Sequence, residues 1–129
     1  MTDCETDHKL NSKWKLWFHD PLDNNWKLES YKDIYTIDSI ESYCKLYSFL
    51  NNKIIENSML FLMRDTIEPL WEHKENISGG CWSLKIPKGK IFEIWSNISI
   101  ALICESISNE DSININGISI SPKKNFCII

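Results

Sequence analysis

At 129 residues the chain fits one domain that buries about 65–70% of its unfolded surface and folds without disulfide staples. Its 43% apolar and 25% charged residues are ordinary for a globular protein, while six Trp are many for this length. A net charge of −4 argues against sequence-blind binding along a nucleic-acid backbone, which needs a basic face, yet leaves room for a site holding one nucleotide.

Cys4, Cys44, Cys81, Cys104 and Cys127 are odd in number and scattered, with no Cys-x-x-Cys pair. They read as thiols in a reducing compartment rather than a disulfide framework or zinc site, so no metal or cofactor is expected. The first residues lack the apolar core of a signal peptide, and no apolar run approaches the ~18 residues of a membrane span. A cytoplasmic protein without membrane contact is expected. The Asn-x-Ser matches at Asn76 and Asn97 then have no glycosylation role.

Residues 1–11 are polar and read as a flexible segment ahead of a single domain over 12–129. Trp14, Leu16 and Phe18 alternate with Lys15 and Trp17, the period of a strand. Asp20–Asn25 is a turn cluster, after which Trp26 opens a second extended segment toward Ile37. Asp38 and Glu41 suggest a capping box for an amphipathic helix over 39–51. Met59–Met63 is an apolar run of strand length. Pro69 and Gly79-Gly80 break the next stretch into loop, and Trp82, Leu84 and Ile86 alternate as a strand. Ile91, Ile94, Trp95, Ile98 and Leu102 predict a helix within 90–105. Ile113 and Ile115 alternate in one phase and Ile118 and Ile120 in the other, with Gly117 at the slip, as in a strand with a bulge or tight bend. Phe126–Ile129 is a last strand. The fold class is therefore α+β: a curved, mainly antiparallel sheet of about six strands, with two helices on one convex face and the other face open to a ligand.

Trp26 after a turn and Trp71 in a loop are positioned to project from one rim, with Glu72 beside the second. Two indoles can sandwich a planar heterocycle, at roughly 1–3 kcal/mol per stacking contact, and a cationic ring adds about 0.5–2 kcal/mol per face. An ionised Glu only accepts hydrogen bonds, so Glu72 suits the N1–H and exocyclic amine of guanine. An N7-methylated guanine combines these properties.

The chain resembles the eukaryotic translation initiation factor 4E family, which binds the methylguanosine cap of mRNA. The resemblance rests on Trp14-Lys-Leu-Trp17-Phe18, Trp26, Ile67-Glu-Pro-Leu-Trp71-Glu72, Gly79-Gly80-Cys81-Trp82, Trp95 and Leu102-Ile103-Cys104-Glu105, in matching order over nearly all of 8–129. It implies that Trp26 and Trp71 clamp the methylguanine and Glu72 reads its edge. Trp14, Trp82 and Trp95 would be structural, and the role of Trp17 stays open. Lys123 and Lys124 stand where the family contacts the cap phosphates, but Cys81 replaces a basic residue, and the family's further helix and two strands lie beyond the part matched. On the helical face the family binds an initiation scaffold protein (factor 4G-like) or a repressor. The corresponding residues here are His8, Ile40, Cys44 in place of the usual Trp, and Asn97. The reading is a non-enzymatic binder of capped mRNA in translation initiation or its control. The alternative is a degenerate relative that acts through protein–protein contacts. No nucleophile–base pair or metal-binding carboxylate cluster stands out for catalysis.

Overall fold

The computed structural model describes residues 8–70, 72–107 and 115–129. Among them the order is β1 (Lys9–His19), β2 (Tyr31–Ser39), α1 (Ile40–Tyr47), α2 (Asn52–Asn57), β3 (Met59–Arg64), β4 (Lys85–Pro87), α3 (Ile91–Ile103), β5 (Gly117–Pro122) and β6 (Phe126–Ile128). The six strands form one sheet, β2-β1-β3-β5-β6-β4, with every pairing antiparallel.

The alternation in β1 sorts its side chains. Trp14 and Leu16 are buried and join Ile37, Leu60, Leu62 and Ile120 from neighbouring strands in the core. Tyr43 and Leu46 of α1, Ile55 of α2, and Ile91, Trp95 and Leu102 of α3 complete that core, so the helices cover one face. The buried positions of α3 (Ile91, Trp95, Ser99, Leu102, Ile103) are the stripe a 3.6-residue period demands. Tyr43 Oη donates to the Ser96 carbonyl (3.0 Å) and meets Ser99 Oγ at 3.0 Å, joining α1 to α3 by polar contacts inside an apolar layer.

The chain departs from the sequence reading at several boundaries. Strand β1 starts at Lys9, inside the segment expected to be flexible, and Lys9 pairs with Ser39. Residues 26–30 make a braced loop and a short 3₁₀ turn rather than extended chain, and β2 begins at Tyr31. The cap of α1 is Ser39, not Asp38. Ser42 N–H donates to Ser39 Oγ (3.0 Å) and Ser39 N–H to Ser42 Oγ (3.0 Å), which leaves Glu41 outside the box. The helix expected over 39–51 ends at Tyr47, and a second, unexpected short helix follows it as α2. Ser48 Oγ donates back to the Lys45 carbonyl, and Asn51 accepts from Ile54 N–H to start α2, so short polar side chains satisfy main-chain groups that a continuous helix would pair. Gly117 opens β5. A Cβ there would strike the Leu62 carbonyl and the Met63 side chain, so close approach of β3 requires glycine. The alternation at Ile113 lies outside the described residues.

Helix α3 ends with Ser106 N–H bonded to the Ala101 carbonyl and Glu105 N–H to that of Leu102, a Schellman ending with Glu105 at φ 56° where glycine is usual. Glu105 Oε1 holds Arg64 Nη2 at 2.8 Å. Arg64 also donates to the Ile115 carbonyl (2.9 Å) and Ser12 Oγ (3.1 Å), and its guanidinium lies 4.5 Å from the Trp14 ring centre. Replacing Glu105 by Ala or Gly should destabilise the fold in urea melts, since both remove the Glu105 carboxylate from the Arg64 guanidinium. The Ala variant should be the less stable by about 1 kcal/mol, because only Ala retains the left-handed strain.

Candidate functional site

The face of the sheet away from the helices carries Lys15, Trp17 and His19 of β1. Cross-strand pairing puts Tyr31 beside His19, Asp33 beside Trp17, and Phe61 beside Trp17 on the other flank. Lys15 Nζ lies 3.3 Å from Asp33 and 3.6 Å from Asp65, and 5.9 Å from the Trp17 ring centre. The hydrogen bond to Asp33 leads in raising the Lys15 pKa.

A row of aromatic rings runs to the rim. Phe61 meets Tyr31 edge-on at 5.4 Å, Tyr31 meets His19 at 4.7 Å, and His19 stacks on Trp26 at 4.2 Å with 7° between planes. His19 is fully buried, whereas Trp26 is 49% exposed, one indole face covered by the imidazole. The loop bearing Trp26 is fixed through Asn25. Its carbonyl accepts from His19 Nε2 (2.7 Å) and Ser30 Oγ (2.6 Å), its N–H donates to Asp23 (2.8 Å), and its side-chain oxygen accepts from Lys27 N–H (2.9 Å).

Trp71 lies outside the described residues. Glu72 is exposed. Burial chiefly raises the Tyr31 pKa, and the Glu72 carboxylate adds to it. The Glu72 segment is folded by Asn76. That amide donates to the Glu68 (3.1 Å) and Leu70 (2.8 Å) carbonyls and accepts from Asn116 Nδ2 (2.8 Å), which also donates to the Glu75 carbonyl (2.9 Å). Asn116 immediately precedes β5, so the loop is tied to the sheet.

Lys123 and Lys124 are exposed in the β5–β6 turn, closed by Lys123 N–H to the Phe126 carbonyl (2.8 Å). Leu60 pairs with both Phe18 and Ile120, so this turn and the Trp26 loop leave the same end of the sheet. The register thus brings the Trp26 loop and the Lys123–Lys124 turn to one end of the sheet, whereas the chain carrying Glu72 leaves β3 at the other end and is tied there through Asn116.

Trp14 and Trp95 are fully buried, but Trp82 is 97% exposed and not a core residue. Strand pairing on the β6 side runs from Leu84, bonded to Ile129 in both directions, to Pro87. Nothing upstream among the described residues draws 81–83 onto the sheet, and the expected strand shortens to Lys85–Pro87. Cys81 is exposed as well.

On the helical side His8 and Ile40 meet, Ile40 N–H donating to the His8 carbonyl (2.9 Å). Cys44 lies one turn further along α1, and Asn97 is exposed on α3. The Tyr43–Ser96 bond joins their immediate neighbours. His8 Nδ1 and N–H each lie 2.6 Å from a Glu41 carboxylate oxygen, and the side-chain bond leads in lowering the Glu41 pKa from 4.5 to about 2.

Among the described residues no group of His, Cys, Asp or Glu could hold a metal, and no helix is long and apolar enough to cross a membrane. His19, Tyr31, Asn25, Asn76 and Asn116 escaped the sequence reading. The one available signal was Asn25 and Asn76 sitting in turn-rich stretches, where a short amide bonds the main chain.

A six-stranded antiparallel sheet with helices on one face and a row of aromatic rings on the other defines the α+β architecture of the domain. Residues 9–129 match the family described as Eukaryotic initiation factor 4E, and the chain belongs to that family. It is 33% identical to eukaryotic translation initiation factor 4E of Candida glabrata, over 95% of this chain and 61% of the relative. The Saccharomyces cerevisiae factor is 32% identical over 91% of this chain and 57% of its own length. The chain thus spans about three-fifths of these relatives. Among solved structures it is similar to C. elegans eIF4E-3 in complex with the 4E-binding protein Mextli and cap analog (TM-score 0.84, 23% identity, 95% of this chain and 72% of that one). It is also similar to Ascaris suum eIF4E-3 with m7G cap (TM-score 0.81, 22% identity, 95% and 71%).

Two outcomes follow. Asn76→Ala should speed amide exchange across residues 68–79 while leaving β1 and β3 protected, since it removes loop braces and no core contact. The Glu41 pKa is depressed in the folded state, so its stabilising contribution is present above about 4.5 and is lost as pH falls through about 2. Melting wild type and Glu41→Gln across that window should show the gap between them closing toward pH 2.

Proposed function

We propose that this chain binds the 7-methylguanosine cap of mRNA and acts in translation initiation or its control. Trp26 supplies one stacking face, Trp71 the other, and Glu72 accepts from the N1–H and amine of the guanine. The observation that carries the reading is Trp26: one indole face is packed on His19, and the ring is still half exposed at the end of the sheet where Lys123 and Lys124 also stand. The family and its cap-bound members support the ligand. Lys123 and Lys124 meet the phosphates as point charges. A protein partner, an initiation scaffold or a repressor, docks on the helical face around His8, Ile40, Cys44 and Asn97, a reading supported by the complex of the C. elegans relative with a 4E-binding protein.

A Trp-fluorescence titration with methylguanosine triphosphate beside GTP tests the site. Saturable quenching by the methylated ligand alone is expected, weakened by roughly tenfold to a hundredfold in Glu72→Ala, the scale of hydrogen bonds to a charged group. Equal, weak responses to both ligands would refute cap recognition and favour a relative that works through its helical face.

A further inference from the structure

We propose that His19 is a positioning residue for Trp26, holding the indole in its ligand-stacking orientation before any ligand arrives. The inference rests on the cap-binding reading for its purpose, not for its geometry. The imidazole is fully buried, lies 4.2 Å under the indole and is nearly parallel to it. Because a carbonyl oxygen only accepts, Nε2 carries the proton it shares with the Asn25 carbonyl at 2.7 Å. His19 therefore grips both the ring of Trp26 and the main chain of the residue before it. Tyr31, 4.7 Å away across the β1–β2 pair, limits the imidazole's own movement. Ser30 Oγ bonds the same Asn25 carbonyl, so the loop is fastened on both sides of Trp26. A half-exposed indole on an unbraced loop would sample several rotamers, and ordering it would subtract from affinity. A ring stacked from behind has that ordering built in, and only its outer face is left for the ligand.

The test compares indole ¹⁵N relaxation in the ligand-free full chain, with Trp26 assigned through Trp26→Phe. In His19→Ala the Trp26 indole should become mobile, while the buried Trp14 and Trp95 signals stay in place. In His19→Phe, which keeps an aromatic ring behind the indole, Trp26 should remain close to its wild-type order. Affinity for methylguanosine triphosphate should fall about tenfold in His19→Ala and within about threefold in His19→Phe. Should the Trp14 and Trp95 signals collapse in His19→Ala, His19→Leu fills the space without a ring and the same criterion applies to it. An equally ordered Trp26 in wild type and in the folded ring-less variant overturns the proposal. A wild type that does not distinguish the methylated ligand from GTP defeats the cap-binding reading instead, and the ligand-free relaxation still decides the role of His19.

Discussion

The arrangement depends most on the fastening made by Arg64, the one arginine in the chain. Its guanidinium reaches Ser12 and the Trp14 ring in β1, the Ile115 carbonyl ahead of β5, and Glu105 at the end of α3. A largely buried charge is costly unless its hydrogen bonds are met, and here carboxylate, carbonyl and hydroxyl share them around a planar fork. Lysine, with a single ammonium, could not span these partners. The left-handed Glu105 makes sense in this setting: the strained residue is the one whose carboxylate has to face Arg64. Helix, inner strands and the core Trp14 are thereby held in one register, and the opposite face of the same strands becomes a firm base for a site.

On that base the site is built from loops, and the loops are organised by asparagine. Asn25 fixes the segment around Trp26, while Asn76 and Asn116 fold the segment around Glu72. A short amide both donates and accepts, so it can close main-chain groups that no strand or helix reaches. Recognition of a flat ligand depends on such bracing, because stacking strength falls away once the rings are free to tilt.

How much of this was legible in the sequence follows from where each signal originates. β1, β3 and α3 were readable because their apolar periods coincide with what the core buries: Trp14 and Leu16, Leu60 and Leu62, Ile91 through Leu102. The early end of the first helix and the separate α2 after it were not, since they turn on Ser48 and Asn51 bonding their own neighbourhood, which no period reports. Trp82 was misread because alternation with Leu84 and Ile86 says nothing of whether a pairing strand extends that far. In the site, Trp26 and Glu72 stood out through residue type, while His19 and Tyr31 acquire meaning only when antiparallel pairing sets them side by side.

Charge decides how recognition is divided within the proposed site. The chain carries a net −4, Lys15 on the open face is engaged by Asp33 and Asp65, and Cys81 offers no charge where the family has a basic residue. Lys123 and Lys124, which the register sends toward the Trp26 end, and Lys27 beside Trp26 are exposed, so water and salt weaken each as a point charge within about 8–10 Å. On the proposed reading, phosphate contacts through such exposed lysines contribute little, and the base supplies the greater part of the free energy. Stacking of a cationic ring on indole and a carboxylate on its donor edge are the two interactions that gain from N7 methylation, the first through charge–quadrupole attraction and the second through a more acidic N1–H. On that reading the phosphate contribution is common to methylated and unmethylated nucleotides and cancels from their ratio. Discrimination therefore rests on the base whatever the phosphates add, and weak phosphate binding lowers affinity for both alike.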